Sequence, residues 1–241
     1  MPDDYERQFS RIHAPYMQSV TLVHCDDVFE ARKNATSLQL RSNCANVDRI
    51  GEYKAIKRIY CELRTDWLKP LSKLPLLQHI QFTLPKTPAI PSLRILNGIR
   101  TLVLLCNRHQ DSLTFLRGLK SLRSLCVSEA VQVSDLTPIG SLNNLQELYI
   151  DGSMSSSGKV RSFAPLAKLT DLRFAVLMVR SEEKTSPLRH LHKLKKLEYL
   201  SLAPQFARDE EELNSLLDSL PLLKKIEFNG GLTWPRTKRR G

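Results

Sequence analysis

Tyr149, Phe174, Val176, Met178 and Tyr199 are the residues whose types and spacing suggest chemistry, and that chemistry is recognition rather than reaction. They sit at alternate positions of three short apolar runs set 27 and 25 residues apart. Aromatic side chains together with methionine make up the composition of protein-binding hot spots. Glu147 and Asp151 flank the group and could meet a basic group on a partner.

Residues for catalysis do not assemble in the same way. The sequence has no Gly-rich phosphate loop, no Gly-x-Ser-x-Gly elbow and no His-Glu-x-x-His. Its six histidines are not grouped with cysteines at zinc-ligand spacing. His190 and His192 straddle Leu191, which reads as two residues flanking a buried leucine. Cys126 and His79 fall two repeats apart, roughly 10 Å at strand spacing, too far for a nucleophile and its base. The expectation is a non-enzyme with no cofactor and no metal.

The elements that must position these residues come from a repeat. The frame Leu-x-x-Leu-x-x-Leu-x-Leu occurs as Leu119/Leu122/Leu125/Val127 and Leu142/Leu145/Leu148/Ile150. It recurs with first positions Leu74, Leu96, Leu119, Leu142, Leu169, Leu194 and Leu220, spaced 22, 23, 23, 27, 25 and 26 residues apart. Tyr53, Ile56, Ile59 and Cys61 fit one rung earlier, and Leu38-Gln39-Leu40 and Val20-Thr21-Leu22 suggest two more strands. A period of this length means a stacked solenoid in which no rung buries its leucines alone. The Leu-x-Leu half alternates with period two, as a strand with one buried face does. Leu113/Leu116/Leu119 and Leu188/Leu191/Leu194 predict single helical or 3₁₀ turns. Ser186-Pro187 reads as an N-cap followed by proline, and Asp209-Glu-Glu-Glu212 opens the best true helix.

These rungs resemble the leucine-rich repeat family, in particular its short bacterial, internalin-like or phosphatase-regulator-like class. Val133–Ile150 carries the resemblance best, echoed by Phe163–Leu172, and it extends over roughly residues 50–230. It implies an α/β leucine-rich repeat solenoid with a curved parallel sheet on the concave face and short helical or 3₁₀ turns on the convex face. It also implies a binding protein, an unspecific function for a fold that hosts many partners. The family's turn asparagine has one counterpart, Asn107; the equivalent positions are Pro85, Ala130, Ser153, Arg180, Gln205 and Gly231. The expected organisation is an N-terminal cap over 1–18, a solenoid of about eight to ten rungs over 19–230, and a C-terminal cap with a basic tail over 231–241. Trp234 is expected to fold over the last strand, which needs cover.

With the leucines inward, the residues between them face the concave side. The proposed partner surface is Tyr60, His79, Gln81, Val103, Leu105, Glu147, Tyr149, Asp151, Phe174, Val176, Met178 and Tyr199. A slip that turns Phe174 and Val176 inward, because Ala175 is a poor core residue, is the ordinary alternative; a terminal tail packed there is another.

The formal charge of +11 lies elsewhere, because the concave columns sum to −1. Lys57, Arg100, Arg123, Arg173 and Lys224 occupy one lateral column, and Arg236-Thr-Lys-Arg-Arg240 adds four charges. Such an edge could hold nucleic acid or an anionic surface. It is also what a soluble rim looks like, and the aromatics lie on another face, so stacking and phosphate contacts would not converge. Five cysteines without pairing cues and an N-terminus without a basic and apolar leader point to a cytoplasmic protein. No apolar stretch reaches membrane-span length. The reading is a partner-protein binder acting as regulator, adaptor or toxin-neutralising subunit.

Overall fold

The frame leucines turn inward along the whole array. Leu102, Leu104, Leu125, Leu148, Ile150, Leu177, Leu200 and Leu202 are fully buried and join one continuous core. The computed structural model describes residues 23–87, 89–153, 158–228 and 232–235. The expected strand at Val20–Leu22, the cap over 1–18 and the basic tail lie outside the described residues.

Eleven strands form one sheet: β1 (Val23–Asp27), β2 (Ser37–Ala45), β3 (Arg58–Glu62), β4 (His79–Thr83), β5 (Thr101–Leu105), β6 (Ser124–Ser128), β7 (Glu147–Asp151), β9 (Phe174–Met178), β11 (Tyr199–Leu202), β12 (Ile226–Phe228) and β13 (Leu232–Trp234). Neighbours pair in parallel from β1 to β12, and β13 returns antiparallel on β12. That last pairing covers the exposed edge of β12, a liability for any terminal strand. Trp234 packs against the core and donates its indole N–H to Asn214 Oδ1 at 3.0 Å.

Each strand is followed by a return segment on the opposite side. Short 3₁₀ turns at Thr114–Leu116 and Pro187–Lys193 bury Leu116, Leu188 and Leu191, as the three-residue spacing predicts. Packed helical segments need more width than the roughly 4.8 Å between strands, so the strand side becomes the concave side. Ser186 does precede the proline turn, but in a left-handed conformation and without a side-chain cap bond. The helix α2 (Glu210–Ser219) starts at Asp209, whose carboxylate accepts from Glu212 N at 2.9 Å.

Three elements escape the repeat pattern. The helix α1 (Thr65–Leu71) buries Trp67, Leu68 and Leu71, spaced one and three apart on a single face. The other two are the short strands β8 (Lys159–Val160) and β10 (Arg180–Ser181), which pair beside the main sheet.

The missing asparagines are replaced mainly by main-chain bonds. Leu63 N, Leu84 N, Cys106 N and Ala130 N each donate to a carbonyl on the following rung, at 2.9 Å, continuing the ladder past the strand ends. Asn107 does act as the family asparagine would. Its Nδ2 donates to Leu84 O and Pro85 O, both at 3.0 Å, and its Oδ1 accepts from His109 N at 2.9 Å.

Candidate partner-binding face

The strand register settles which side chains share the concave face. Phe174 pairs with Glu147 and Tyr199, and Val176 pairs with Tyr149 and Ser201. Ala175 lies in the leucine core, and Phe174 and Val176 do not, so no slip has occurred. Shared face does not mean shared exposure, however. Phe174 and Val176 are each only 2% exposed, Val103 is fully buried and Tyr60 is 3% exposed. His79 is buried too.

The expectation that these five offer themselves to solvent is therefore corrected. The cause is sideways packing on a face that curves toward itself. The Phe174 ring stacks on Tyr199 with centroids 4.4 Å apart and planes 7° apart. Val103 and Cys126 form a second apolar cluster, distinct from the leucine core, with Leu105 and Tyr149 packed on it. Small side chains sink between larger neighbours at strand spacing, and the larger ones hold the accessible rim.

Leu105, Tyr149, Met178, Tyr199, Gln81, Glu147 and Asp151 remain partly exposed. None of Tyr149, Phe174 or Tyr199 is without a bonded or ring partner. The two carboxylates are also engaged within the fold. Glu147 accepts from the Ser124 hydroxyl. Asp151 accepts from Ser128 Oγ at 3.2 Å and from Glu129 N at 2.7 Å, where Glu129 adopts a positive φ of 59°. At the far end Tyr199 donates to Glu227 at 2.7 Å, and Lys225 pairs with Glu227 at 2.7 Å. Burial opposes ionisation of Glu227, but the bonds from Lys225 and Tyr199 outweigh it and hold its pKa below the usual value.

The buried face shapes its titratable groups. Desolvation pushes His79 down to about 4, helped by the nearby Arg58 charge, so the imidazole is neutral at pH 7. Cys126 is pushed up to about 12 by burial, which leaves a thiol rather than a nucleophilic thiolate. Cys61 joins the leucine core, as a small buried hydrophobe would. His190 Nε2 donates to the Glu183 carboxylate at 3.0 Å, and Leu191 between it and His192 is buried. Among the described residues no three His, Cys, Asp or Glu come together as a metal site.

The lateral basic column is physically continuous. Gln78 N, Arg100 N, Arg123 N, Gln146 N, Arg173 N and Glu198 N each donate to the preceding member's carbonyl, at 2.8 to 3.0 Å. Lys57, Arg100, Arg123, Arg173 and Lys224 are all exposed. Arg173 is partly neutralised by Glu198, 2.5 Å away. Among the described residues no ion pair engages Lys57, Arg100 or Arg123.

No protein-family model matches the sequence, and no curated protein matches it. Solved structures do match in shape. An internalin (inlF) from Listeria monocytogenes superposes with a TM-score of 0.52 at 17% identity, covering 83% of this chain and 56% of that one. Internalin C2 from the same species gives a TM-score of 0.52 at 19% identity, covering 81% of this chain and 77% of that one. The chain thus spans little more than half of the first internalin. At such identities the likeness establishes the architecture: this is a leucine-rich repeat solenoid. No helix among the described residues is long and apolar enough to cross a membrane.

Proposed function

We propose that this solenoid is a non-enzymatic interaction module that holds a partner protein against its concave face. The observation that carries the reading is the second apolar cluster, Val103 and Cys126 beneath Leu105 and Tyr149, on the side of the sheet opposite the leucine core. Burial of Val103 and Cys126 stabilises the fold by itself, but the partly exposed Leu105 and Tyr149 above them form an apolar rim that favours a partner over water. Leu105, Tyr149, Met178 and Tyr199 are the contact residues, with Val103, Phe174 and Val176 as a rigid floor beneath them. Glu147 and Asp151, held by Ser124 and Ser128, orient a basic or hydrogen-donating group of the partner. A face already ordered before docking loses little entropy on binding. The role that fits is regulator, adaptor or neutralising subunit in a bacterial cytoplasm, where buried thiols such as Cys61, Cys106 and Cys126 meet no oxidant.

The lateral column supports a second reading, in which Lys57, Arg100, Arg123, Arg173 and Lys224 bind nucleic acid or an anionic surface. The alignment of Lys57, Arg100, Arg123 and Arg173 along one hydrogen-bonded edge favours it. One experiment separates the two. In affinity purification, Tyr149→Ala with Met178→Ala should lose the captured protein while the chain stays folded by circular dichroism, and Arg100→Glu with Arg123→Glu should keep it while lowering retention on heparin. Capture that survives the first pair overturns the concave reading.

A further inference from the structure

Five buried side-chain nitrogen or oxygen atoms lack a hydrogen-bond partner among the described residues: Tyr60 OH, His79 Nε2, Gln81 Oε1, Gln110 Oε1 and Gln205 Nε2. Three of the five belong to β3 and β4. Gln81 lies directly across from Tyr60 in the sheet, and the Tyr60 and His79 rings approach to 5.5 Å. Tyr60 and His79 are both at least nine-tenths buried. A recess of about 300 Å³ opens beside them, lined by Gln39, Arg41, Tyr60, Glu62, Gln81 and Thr83.

Each buried polar atom left unpaired costs stability, because it gives up water without a replacement bond. Two of them, on Tyr60 and Gln81, line one recess from neighbouring strands, and His79 lies against the Tyr60 ring, a grouping hard to explain as separate packing accidents. From β2 to β9 the middle column also changes character, from Gln39, Tyr60 and Gln81 to Val103, Cys126, Tyr149 and Val176. A polar end therefore adjoins the apolar cluster on one continuous surface.

We propose that Tyr60, His79 and Gln81 form a second anchor, which receives an uncharged amide, either a backbone peptide group or an Asn or Gln carboxamide, from the partner protein's docked segment. This rests on the concave reading above and adds the chemistry of its N-terminal end. An amide fits because it carries both a donor and an acceptor. Its N–H meets Gln81 Oε1, and its carbonyl accepts from the Tyr60 hydroxyl or the neutral imidazole. An ion fits less well, since charges of both signs already surround the recess: Arg41, paired to Asp26 at 3.2 Å, Glu62 in the lining, and Arg58 beside Tyr60 and His79. Tyr60 lies four strands from Tyr149 in the sheet order, roughly 19 Å. About six extended residues bridge that distance, so one segment reaches both anchors.

The test uses the full chain and a probe that does not depend on finding the partner. N-acetylglycine N-methylamide, which carries two free peptide groups, is titrated into isotope-labelled protein while the His79 imidazole and the β3–β4 amide signals are followed. Sodium acetate serves as the anionic counterpart. The amide should shift these signals saturably, acetate should not, and Tyr60→Phe and Gln81→Met should weaken the response at least tenfold. Tyr60→Phe should also melt at or above the wild-type temperature, because it removes an unpaired hydroxyl at constant shape.

Absence of a saturable amide response overturns the proposal whatever the melting temperature. So does a response unchanged in both variants, or a preference for acetate. A lowered melting temperature for Tyr60→Phe overturns it as well, since the hydroxyl is then satisfied inside the fold, by Arg58 or by ordered water. Partner capture by Tyr149 and Met178 is read out separately, so failure of this anchor and failure of the concave reading give different results.

Discussion

The ring of Phe174 lies flat on the ring of Tyr199, centroids 4.4 Å apart, on the face of the sheet that does not touch the leucine core. This contact links two rungs 25 residues apart in sequence through side chains that the repeat frame leaves free. It makes the concave face a packed layer in its own right, with consequences for stability as well as binding.

Phe174→Ala should behave as a core truncation rather than as the loss of a surface anchor. Removing a buried ring and its stacking contact costs about 3 kcal/mol. Urea unfolding followed by circular dichroism checks this. An unchanged midpoint would mean the ring is not packed as described.

Asn107→Ala should cost about 2 kcal/mol, because the two carbonyls it ties, Leu84 O and Pro85 O, lose a donor each and His109 N loses its acceptor. Asn107→Asp should be worse, since it turns a carboxylate oxygen toward both carbonyls. Hydrogen exchange at the His109 amide, together with the urea midpoint, distinguishes this local release from a general loosening.

Gly140 has a steric rather than a conformational reason to be glycine. A Cβ there would sit 2.5 Å from Pro165 O on the next rung. Gly140→Ala should therefore destabilise the chain by roughly 1–3 kcal/mol through overpacking. Gly98, where a Cβ would meet nothing within 4 Å, is the control, and Gly98→Ala should change stability by less than about 1 kcal/mol. Thermal melts of the two variants side by side provide the comparison.

His79 predicts a specific acid sensitivity. Its pKa is pushed down to about 4 in the folded chain, by burial first and then by Arg58, against an ordinary 6.5. Between those values the unfolded chain binds a proton that the native state refuses, so stability falls as pH drops from about 6.5 to 4. The full loss is roughly 3 kcal/mol. His79→Leu should lack that part of the slope, and paired denaturation curves at pH 7 and pH 5 measure the difference. Equal slopes in both proteins would refute the assignment.

The repeat frame determined the inward side of every described rung, including the weaker one at Tyr53, Ile56, Ile59 and Cys61, all of them buried. It did so because period-two alternation leaves a strand only two faces, and one of them must leave water. The helix start at Asp209 was legible for a similar reason: a side chain that bonds its own turn is a local matter. Asn107 was legible only through the family resemblance, since the carbonyls it ties lie on the preceding rung. The helix α1 escaped because seven residues inside a rung carry too little periodicity to stand out from it.

What the sequence could not determine was how much of the outward face water still touches. Phe174, Val176, Val103 and Tyr60 were assigned to the correct side and to the wrong environment. Their burial comes from neighbours 20 to 30 residues away whose side chains lean together only once the rungs stack. The engagement of Glu147 by Ser124 and of Asp151 by Ser128 and Glu129 N has the same origin. A strand pattern specifies direction, because direction follows from backbone geometry. Accessibility and pairing are properties of the space between strands, and that space exists only in the folded solenoid.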